Sequence, residues 1–213
     1  MHNTMYKIPQ DSHGFIFSLH NNSAYIFDQN GSKIQCFFPP DQYRTGISRG
    51  AFIGYTIHCR QNNFYCTNLH TIEFPPTEPY NLYSFYMLLL WTSNTYIPLG
   101  LKNKNLFEAM LLLYEQATQH RLMHTNSVQK KIILCYILFL LDAPTTSFET
   151  KKCFDLSAFY QSFSTIINEI ENISKNISGQ FLASIDLWLL ECLSMHTQIV
   201  HKKDPHWFND FLK

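Results

Sequence analysis

The stretch YNLYSFYMLLLWTSNTYIPLGLKNKNLFEAMLLLYEQ, residues 80–116, marks a change in the chain, because its apolar side chains recur at the spacing of a helix rather than of a strand. Pro98 and Gly100 end the first predicted helix. Asn105, followed three residues later by Glu108, resembles a capping box and predicts the start of the second helix. Two helices are therefore expected in direct succession.

The chain continues to predict helices beyond this stretch. A third helix opens at Ser127 and ends before Pro144, and its segment KKIILCYILFLLDAP, residues 130–144, is apolar nearly all round. Such a helix belongs in the middle of a bundle. Two more helices are predicted over 156–173 and from Ser178-Gly179, and Asp204-Pro205 predicts a short terminal turn.

Before residue 75 the pattern is that of short β-strands. Asn30-Gly31 is a strong hairpin signal. Five strands are predicted, at 15–19, 24–27, 33–38, 51–59 and 64–72. Closure into a small barrel would hide the edges of such a sheet, and a β-sandwich fragment is the alternative. The prolines of PPTEP, residues 75–79, predict a domain boundary. We therefore expect an α+β fold with a barrel domain, residues 1–75, and a helical bundle domain, residues 76–213.

The composition limits the partners of the protein. Sixteen Lys and Arg balance 16 Asp and Glu, so a nucleic-acid role must depend on a local patch. The six cysteines are scattered without a CxxC pair, which favours buried, reduced thiols. The N-terminus has no apolar signal core, and the longest apolar run is about half a membrane span. We expect a cytoplasmic protein with no membrane partner.

Little in the sequence predicts an enzyme, a cofactor or a small-molecule substrate. G-x-S-x-G, Walker A and G-x-G-x-x-G motifs are all missing from it. His120 and His124 have the spacing of one helical face, but no third metal ligand lies beside them in sequence. A polar helix end explains them better than a metal site. Asp186 lies within an apolar helix and is interpreted as a hydrogen-bonded core or interface carboxylate.

Basic residues beside aromatic residues are the most suggestive feature of the chain. Arg44 and Arg49 share the loop after the third strand with Tyr43, close in sequence to Phe37 and Phe52. Cations next to aromatic rings are suited to gripping single strands through phosphate contacts and base stacking. Solvated loop arginines and core aromatics are the alternative explanation.

The order of the predicted parts, together with three local segments, resembles a known family. GISRGAFIGYTIHCRQNNFYCTNLHTIEF, residues 46–74, is similar to the last two barrel strands of the bacterial recombination mediator RecO and the approach to them. Residues 80–116 resemble the first two helices of that family, and residues 130–144 resemble the third. The resemblance covers about residues 14 to 144 and implies an OB-like barrel followed by a helical domain.

The resemblance implies a non-catalytic role in DNA repair and recombination. RecO proteins bind single- and double-stranded DNA, anneal complementary strands, partner RecR and engage the C-terminal tail of the single-stranded-DNA-binding protein. Many members carry a four-cysteine zinc module, but Cys153 is the only cysteine in that region here, so no zinc is expected. The expected nucleic-acid-binding residues are Lys33, Arg44, Arg49, Arg60, Lys130 and Lys131.

A competing hypothesis is a protein–protein adaptor with the same architecture and no nucleic-acid binding. The neutral charge fits this hypothesis equally well. A small hydrolase would need a clustered nucleophile, base and orienting group, and the sequence shows none.

Overall fold

The protein places its strands before its helices, as the sequence predicts. The computed structural model describes residues 10–38, 47–60, 63–75, 80–119, 125–141 and 163–194. The strands are β1 (Gln10–His20), β2 (Ser23–Asp28), β3 (Lys33–Phe37), β4 (Phe52–Arg60) and β5 (Asn63–Glu73). The described helices are α1 (Tyr80–Tyr96), α2 (Lys104–Thr118), α3 (Ser127–Leu140), α4 (Phe163–Asn176) and α5 (Gly179–Ser194). The predicted α+β fold is confirmed.

The five strands form a closed barrel in the order β1-β2-β3-β5-β4, with β4 pairing back onto β1. All neighbours are antiparallel except β3 and β5, which run parallel and pair through Cys36 with Phe64 and Phe37 with Tyr65. This order and closure define an OB-like barrel. The closed barrel is confirmed, and the sandwich alternative is excluded because the five described strands close into one continuous sheet.

Alternate residues of the strands fill the barrel interior. The fully or nearly fully buried members of this core are Ile16, Ala24, Ile26, Ile34, Cys36, Phe38, Ala51, Ile53, Tyr55 and Cys66. A hydrogen bond with Cys36, together with burial, raises the pKa of the Cys66 thiol. Both cysteines are free and buried in the barrel core, as the sequence indicates.

The chain divides into two compact units, Met1–Thr118 and Gln119–Lys213. The first unit therefore holds the barrel together with α1 and α2, whereas the sequence pattern places a domain boundary near residue 75. The reason lies on the outside of β1, where Phe15 packs against Phe107 and Tyr114 of α2 with ring centroids 5.6 and 5.5 Å apart. The Tyr86 hydroxyl of α1 also donates to the Gly50 carbonyl at 2.8 Å.

The connection between α1 and α2 is bonded to the β2–β3 hairpin. The Asn103 amide donates to the Gly31 carbonyl at 2.8 Å, and the Gly100 amide donates to the Lys33 carbonyl at 3.0 Å. A Cβ built on Gly31 would lie 2.4 Å from the Asn103 carbonyl carbon, so the hairpin turn needs glycine for close approach as well as for its φ of +74°. Glycine at this turn is thus required by tertiary packing as well as by hairpin geometry.

The start of α2 differs from the sequence prediction. Asn103 rather than Asn105 caps the helix, because the Asn103 Oδ1 accepts a hydrogen bond from the Leu106 amide at 3.0 Å. The predicted capping box at Asn105 and Glu108 is therefore wrong. Glu108 instead forms an exposed ion pair with Lys104 at 3.5 Å.

The second unit packs α3 against α4 and α5. Helix α3 begins with a capping box made by Asn126 and Gln129, and its residues from 131 to 138 are all buried, which confirms its predicted place inside a bundle. The Ser178 hydroxyl accepts from the Phe181 amide at 3.2 Å, so the predicted start of α5 is confirmed. The predicted helix start at 156 and the turn at Asp204 lie outside the described residues. Within the described part of the chain, no helix is both long and apolar enough to cross a membrane.

Candidate nucleic-acid interface

Lys33 begins β3 and is half-buried. Its Nζ donates a hydrogen bond to the Asn94 carbonyl oxygen of α1 and lies 5.3 Å from the centroid of the Tyr25 ring. Burial lowers the pKa of Lys33 from its usual value. This cation therefore joins the barrel to a helix and leaves one side of its ammonium group against an aromatic ring.

The three predicted arginines are placed differently. Arg49 is exposed in the turn before β4. Arg60 is the last residue of β4. Arg44 lies outside the described residues. Partial burial lowers the pKa of the Arg49 guanidinium, and the nearby Tyr83 acts in the opposite direction, so this exposed residue keeps part of its charged group against the protein.

Lys130 and Lys131 belong to α3 in the second unit. Lys130 is half-buried, and burial lowers its pKa. Lys131 is only 5% exposed, and its Nζ lies 2.6 Å from the Asp186 Oδ1 of α5. This ion pair holds two helices together, which accounts for both a lysine in an apolar helix and a carboxylate in another. Of the two interpretations of Asp186, a core or an interface carboxylate, its position at the contact between α3 and α5 with a side chain 37% exposed fits the second better.

A set of aromatic side chains, missed as a group in the sequence, lies on the outer surface of the barrel. Tyr25, Phe37 and Tyr65 alternate with the core residues of β2, β3 and β5, and we call these three residues the aromatic face. The rings of Phe37 and Tyr65 are 5.9 Å apart across the parallel pair. Tyr65 is 38% exposed, and the other two rings are half-buried.

Polar groups continue the aromatic face onto β4. His58 pairs with Tyr65 across the strands, and its Nε2 shares a hydrogen bond of 2.7 Å with the Thr67 hydroxyl. At the opposite edge, the His20 ring meets the Tyr25 ring edge-on at 5.5 Å. In OB folds the surface of strands 2 and 3 and the adjoining loops is where oligonucleotides bind. The signal that could have found these residues is the strand alternation itself, which turns Tyr25 and Phe37 away from the core.

A polar pocket of about 500 Å³ lies further along the outside of β1, β4 and β5. The Thr56 hydroxyl donates to the Asp11 Oδ1 at 2.8 Å and accepts from the Asn68 Nδ2 at 3.3 Å. Asn68 has a φ of +52° at an irregularity in the β4–β5 pairing. The His70 ring lies over Gly54, where a Cβ would come within 2.5 Å of the ring. We call Asp11, Thr56, Asn68 and His70 the polar pocket.

A second concave surface belongs to the helical unit. This groove of about 560 Å³ lies among α3, α4 and α5. Its lining residues are mainly apolar, among them Ile132, Ile166, Ile173, Phe181 and Ile185. Glu169 is the one charged residue in its described lining.

Within the described residues, no group of three His, Cys, Asp or Glu side chains is arranged to hold a metal ion. His120, His124 and Cys153, which the sequence brought forward in connection with metals, lie outside those residues. No protein-family model matches the chain, and comparison with curated proteins likewise finds no match. The arrangement of the barrel surface is therefore the basis for a functional proposal.

Proposed function

We propose that the barrel binds single-stranded DNA through its aromatic face and that the protein acts as a non-catalytic mediator in DNA repair and recombination. The observation that carries the proposal is the Phe37–Tyr65 ring pair on the outside of an OB-like barrel. Tyr65 is exposed and Phe37 half-buried, and surface rings at this position suit the stacking of successive bases, which contributes about 1–3 kcal/mol per base.

The charge of the protein indicates how such binding would divide between bases and phosphates. Lys33 already bonds a carbonyl, Lys131 is paired with Asp186, and the whole chain is neutral. Two of the six expected cations are thus engaged within the described part of the protein, and Arg49 is an exposed residue among the others. Because each phosphate contact on a single strand adds about 0.7 to the log–log salt slope, we expect a shallow salt dependence of binding. Stacking rather than charge would supply most of the affinity.

The wider role rests on the resemblance to the RecO family. A barrel followed by helices is the order of parts in that family, and the role includes binding of double-stranded DNA, strand annealing and recombinase loading with RecR in the cytoplasm. Engagement of the acidic tail of the single-stranded-DNA-binding protein also belongs to this role. The groove of the helical unit does not favour that tail, because its described charged lining residue is Glu169, which repels an acidic peptide.

A protein–protein adaptor is the second candidate. The internal contacts of Lys33 and Lys131 favour it, because two of the six cations expected to hold DNA bond within the protein instead. An adaptor of this architecture would use its surface for another protein and would show no affinity for single strands.

The test is a titration of a fluorescently labelled oligo(dT) 20-mer, followed by anisotropy at low and moderate salt. The wild-type protein is expected to bind at both salts, with the Tyr65→Ala variant weakened about tenfold and Tyr65→Phe close to wild type, because the ring is retained. Phe74→Ala is the matched control, since Phe74 is 56% exposed and follows the far end of β5, about 30 Å from Tyr65 along the strand.

Two outcomes would decide against the proposal. No anisotropy change at either salt concentration would contradict DNA binding and favour the protein–protein adaptor. Equal weakening by Tyr65→Ala and Phe74→Ala would show that the aromatic face is not where the strand binds.

A further inference from the structure

The polar pocket is continuous with the aromatic face. His58 and Thr67 adjoin Tyr65, and Thr56 of the pocket lies opposite Thr67 in the β4–β5 pairing. Thr56 is two residues from His58 on β4, a step of about 7 Å along the strand. A single strand that stacks on Tyr65 would therefore bring a neighbouring base to the pocket.

The hydrogen bonds inside the pocket fix the direction of two side chains. The Thr56 hydroxyl uses its proton on Asp11 and a lone pair on Asn68, so it sets both the carboxylate and the carboxamide. Among the described residues, the Asp11 Oδ2 and the Asn68 Oδ1 have no hydrogen-bond partner. Asp11 and Asn68 are both exposed. The pocket thus presents preset acceptors to a ligand that carries N–H donors.

His70 gives the pocket a flat wall. Its Cε1 and Nε2 atoms lie against Gly54, within 2.5 Å of where a Cβ would be, and its Nδ1 is 3.0 Å from the Asn68 carbonyl oxygen. His70 is exposed, so part of its ring is accessible to a ligand. An imidazole held in this way is a stacking surface for a planar ring.

We infer that the polar pocket binds an unpaired guanine base, with Asp11 accepting from the N1–H and 2-amino groups while the base stacks on His70. This inference rests on the proposed function and deepens it by naming a preferred base. Guanine carries two adjacent N–H donors on its Watson–Crick edge, which match the two oxygens of a carboxylate. Asp11 can use both oxygens, since Oδ1 retains a lone pair after accepting from Thr56.

Other ligands fit the pocket less well. A phosphate would lie beside the Asp11 carboxylate, and the two negative charges would repel each other. Thymine presents one N–H between two carbonyl oxygens, so it offers a carboxylate a single hydrogen bond. Adenine and cytosine each place a ring acceptor beside their amino group, and that acceptor would face the second carboxylate oxygen.

The test compares three labelled 15-mers of dT, of which one carries a central dG and one a central dI. The dG strand is expected to bind about tenfold more tightly than the all-dT strand, a ratio that a good bidentate pair supplies. The affinity for the dI strand should lie between the other two, because inosine lacks the 2-amino group. In the Asp11→Asn variant the dG and dT strands should bind equally, because the amide cannot accept both protons.

Two further variants separate the pocket from general effects. Gly54→Ala displaces the His70 ring and should lower the dG preference without removing any polar group. Glu115→Gln removes one negative charge from an exposed position of α2 and should leave the dG-to-dT ratio unchanged. Tyr65→Ala should weaken the binding of all three strands by the same factor.

The outcomes distinguish the two proposals. Equal binding of the dG and dT strands by the wild-type protein, or a dG preference that survives Asp11→Asn, would overturn the guanine inference while leaving DNA binding in place. If no strand binds, the proposed function fails, and a titration with deoxyguanosine followed by NMR tests the pocket alone. Shifts of Asp11 and His70 signals would then support the pocket, and their absence would overturn it.

Discussion

The ion pair between Lys131 and Asp186 gives a prediction in which the two partners behave differently. Their charged atoms are 2.6 Å apart, which at an effective dielectric constant near 20 corresponds to about 6 kcal/mol of attraction. Most of this attraction is offset by the loss of hydration of the two groups. Lys131 is buried, whereas the Asp186 side chain is 37% exposed.

Removing Asp186 therefore costs more than removing Lys131. Asp186→Ala leaves the buried Lys131 ammonium without a partner and should destabilise the helical unit by about 3 kcal/mol. This is the low end of the range for breaking a buried ion pair, because water already reaches the Asp186 side chain. Lys131→Met leaves a carboxylate that can rehydrate, so about 1 kcal/mol is expected. The double variant Lys131→Met with Asp186→Leu should lie within about 1 kcal/mol of wild type.

Amide hydrogen exchange followed by mass spectrometry is the appropriate assay, because the protein has two units and a single unfolding midpoint would mix them. Peptides from α3 and α5 should exchange faster in the Asp186→Ala variant, and peptides from α2 provide the internal reference. A double variant as unstable as Asp186→Ala, or unchanged exchange in Asp186→Ala, would refute the argument from the buried ammonium.

Three other predictions concern the first unit. Burial raises the pKa of Tyr86 and Tyr114, so the unfolded chain loses these protons first and stability should fall as the pH rises above about 10, by up to about 1.4 kcal/mol per pH unit for each tyrosine. Urea unfolding between pH 9 and 11, followed by a probe confined to the first unit, checks this, and Tyr86→Phe should flatten the dependence. Gly31→Ala should cost about 3 kcal/mol or more, because the added Cβ meets the backbone at Asn103, and amide hydrogen exchange of peptides from the first unit measures it. Asn103→Ala removes the cap of α2 and should cost about 1 kcal/mol in the same assay, with exposed Asn105→Ala as the control expected to change little.

The barrel could be predicted from the sequence because its strands show local signals. Asn30-Gly31 marks a turn, and alternation over β4 separates Ile53 and Tyr55 from their neighbours. The attachment of α1 and α2 to the barrel was harder to foresee. Its trace in the sequence is the unbroken run of Phe15, Ile16 and Phe17, all fully buried, which indicates a strand covered on both faces.

The candidate site was less accessible to sequence reasoning. Charge identified Lys33 and Lys131, yet the partners of both groups, the Asn94 carbonyl and Asp186, lie far along the chain and have no local signature. The polar pocket depends on strand pairing that brings Asp11 beside Thr56, and no spacing rule joins those positions. Contacts set by barrel closure are visible only in three dimensions.

The hydrogen bonds between the β2–β3 hairpin and the segment before α2 have a consequence for synthesis on the ribosome. The Gly31 carbonyl can accept its hydrogen bond only after Asn103 has been synthesised, and the outer face of β1 is not covered until Tyr114 has been synthesised. At 5–20 residues per second, the 45 residues between the end of β5 and the end of α2 take about 2–9 s to add. During that time the nascent barrel would carry uncovered phenylalanines, and a chain released at residue 75 would keep them exposed.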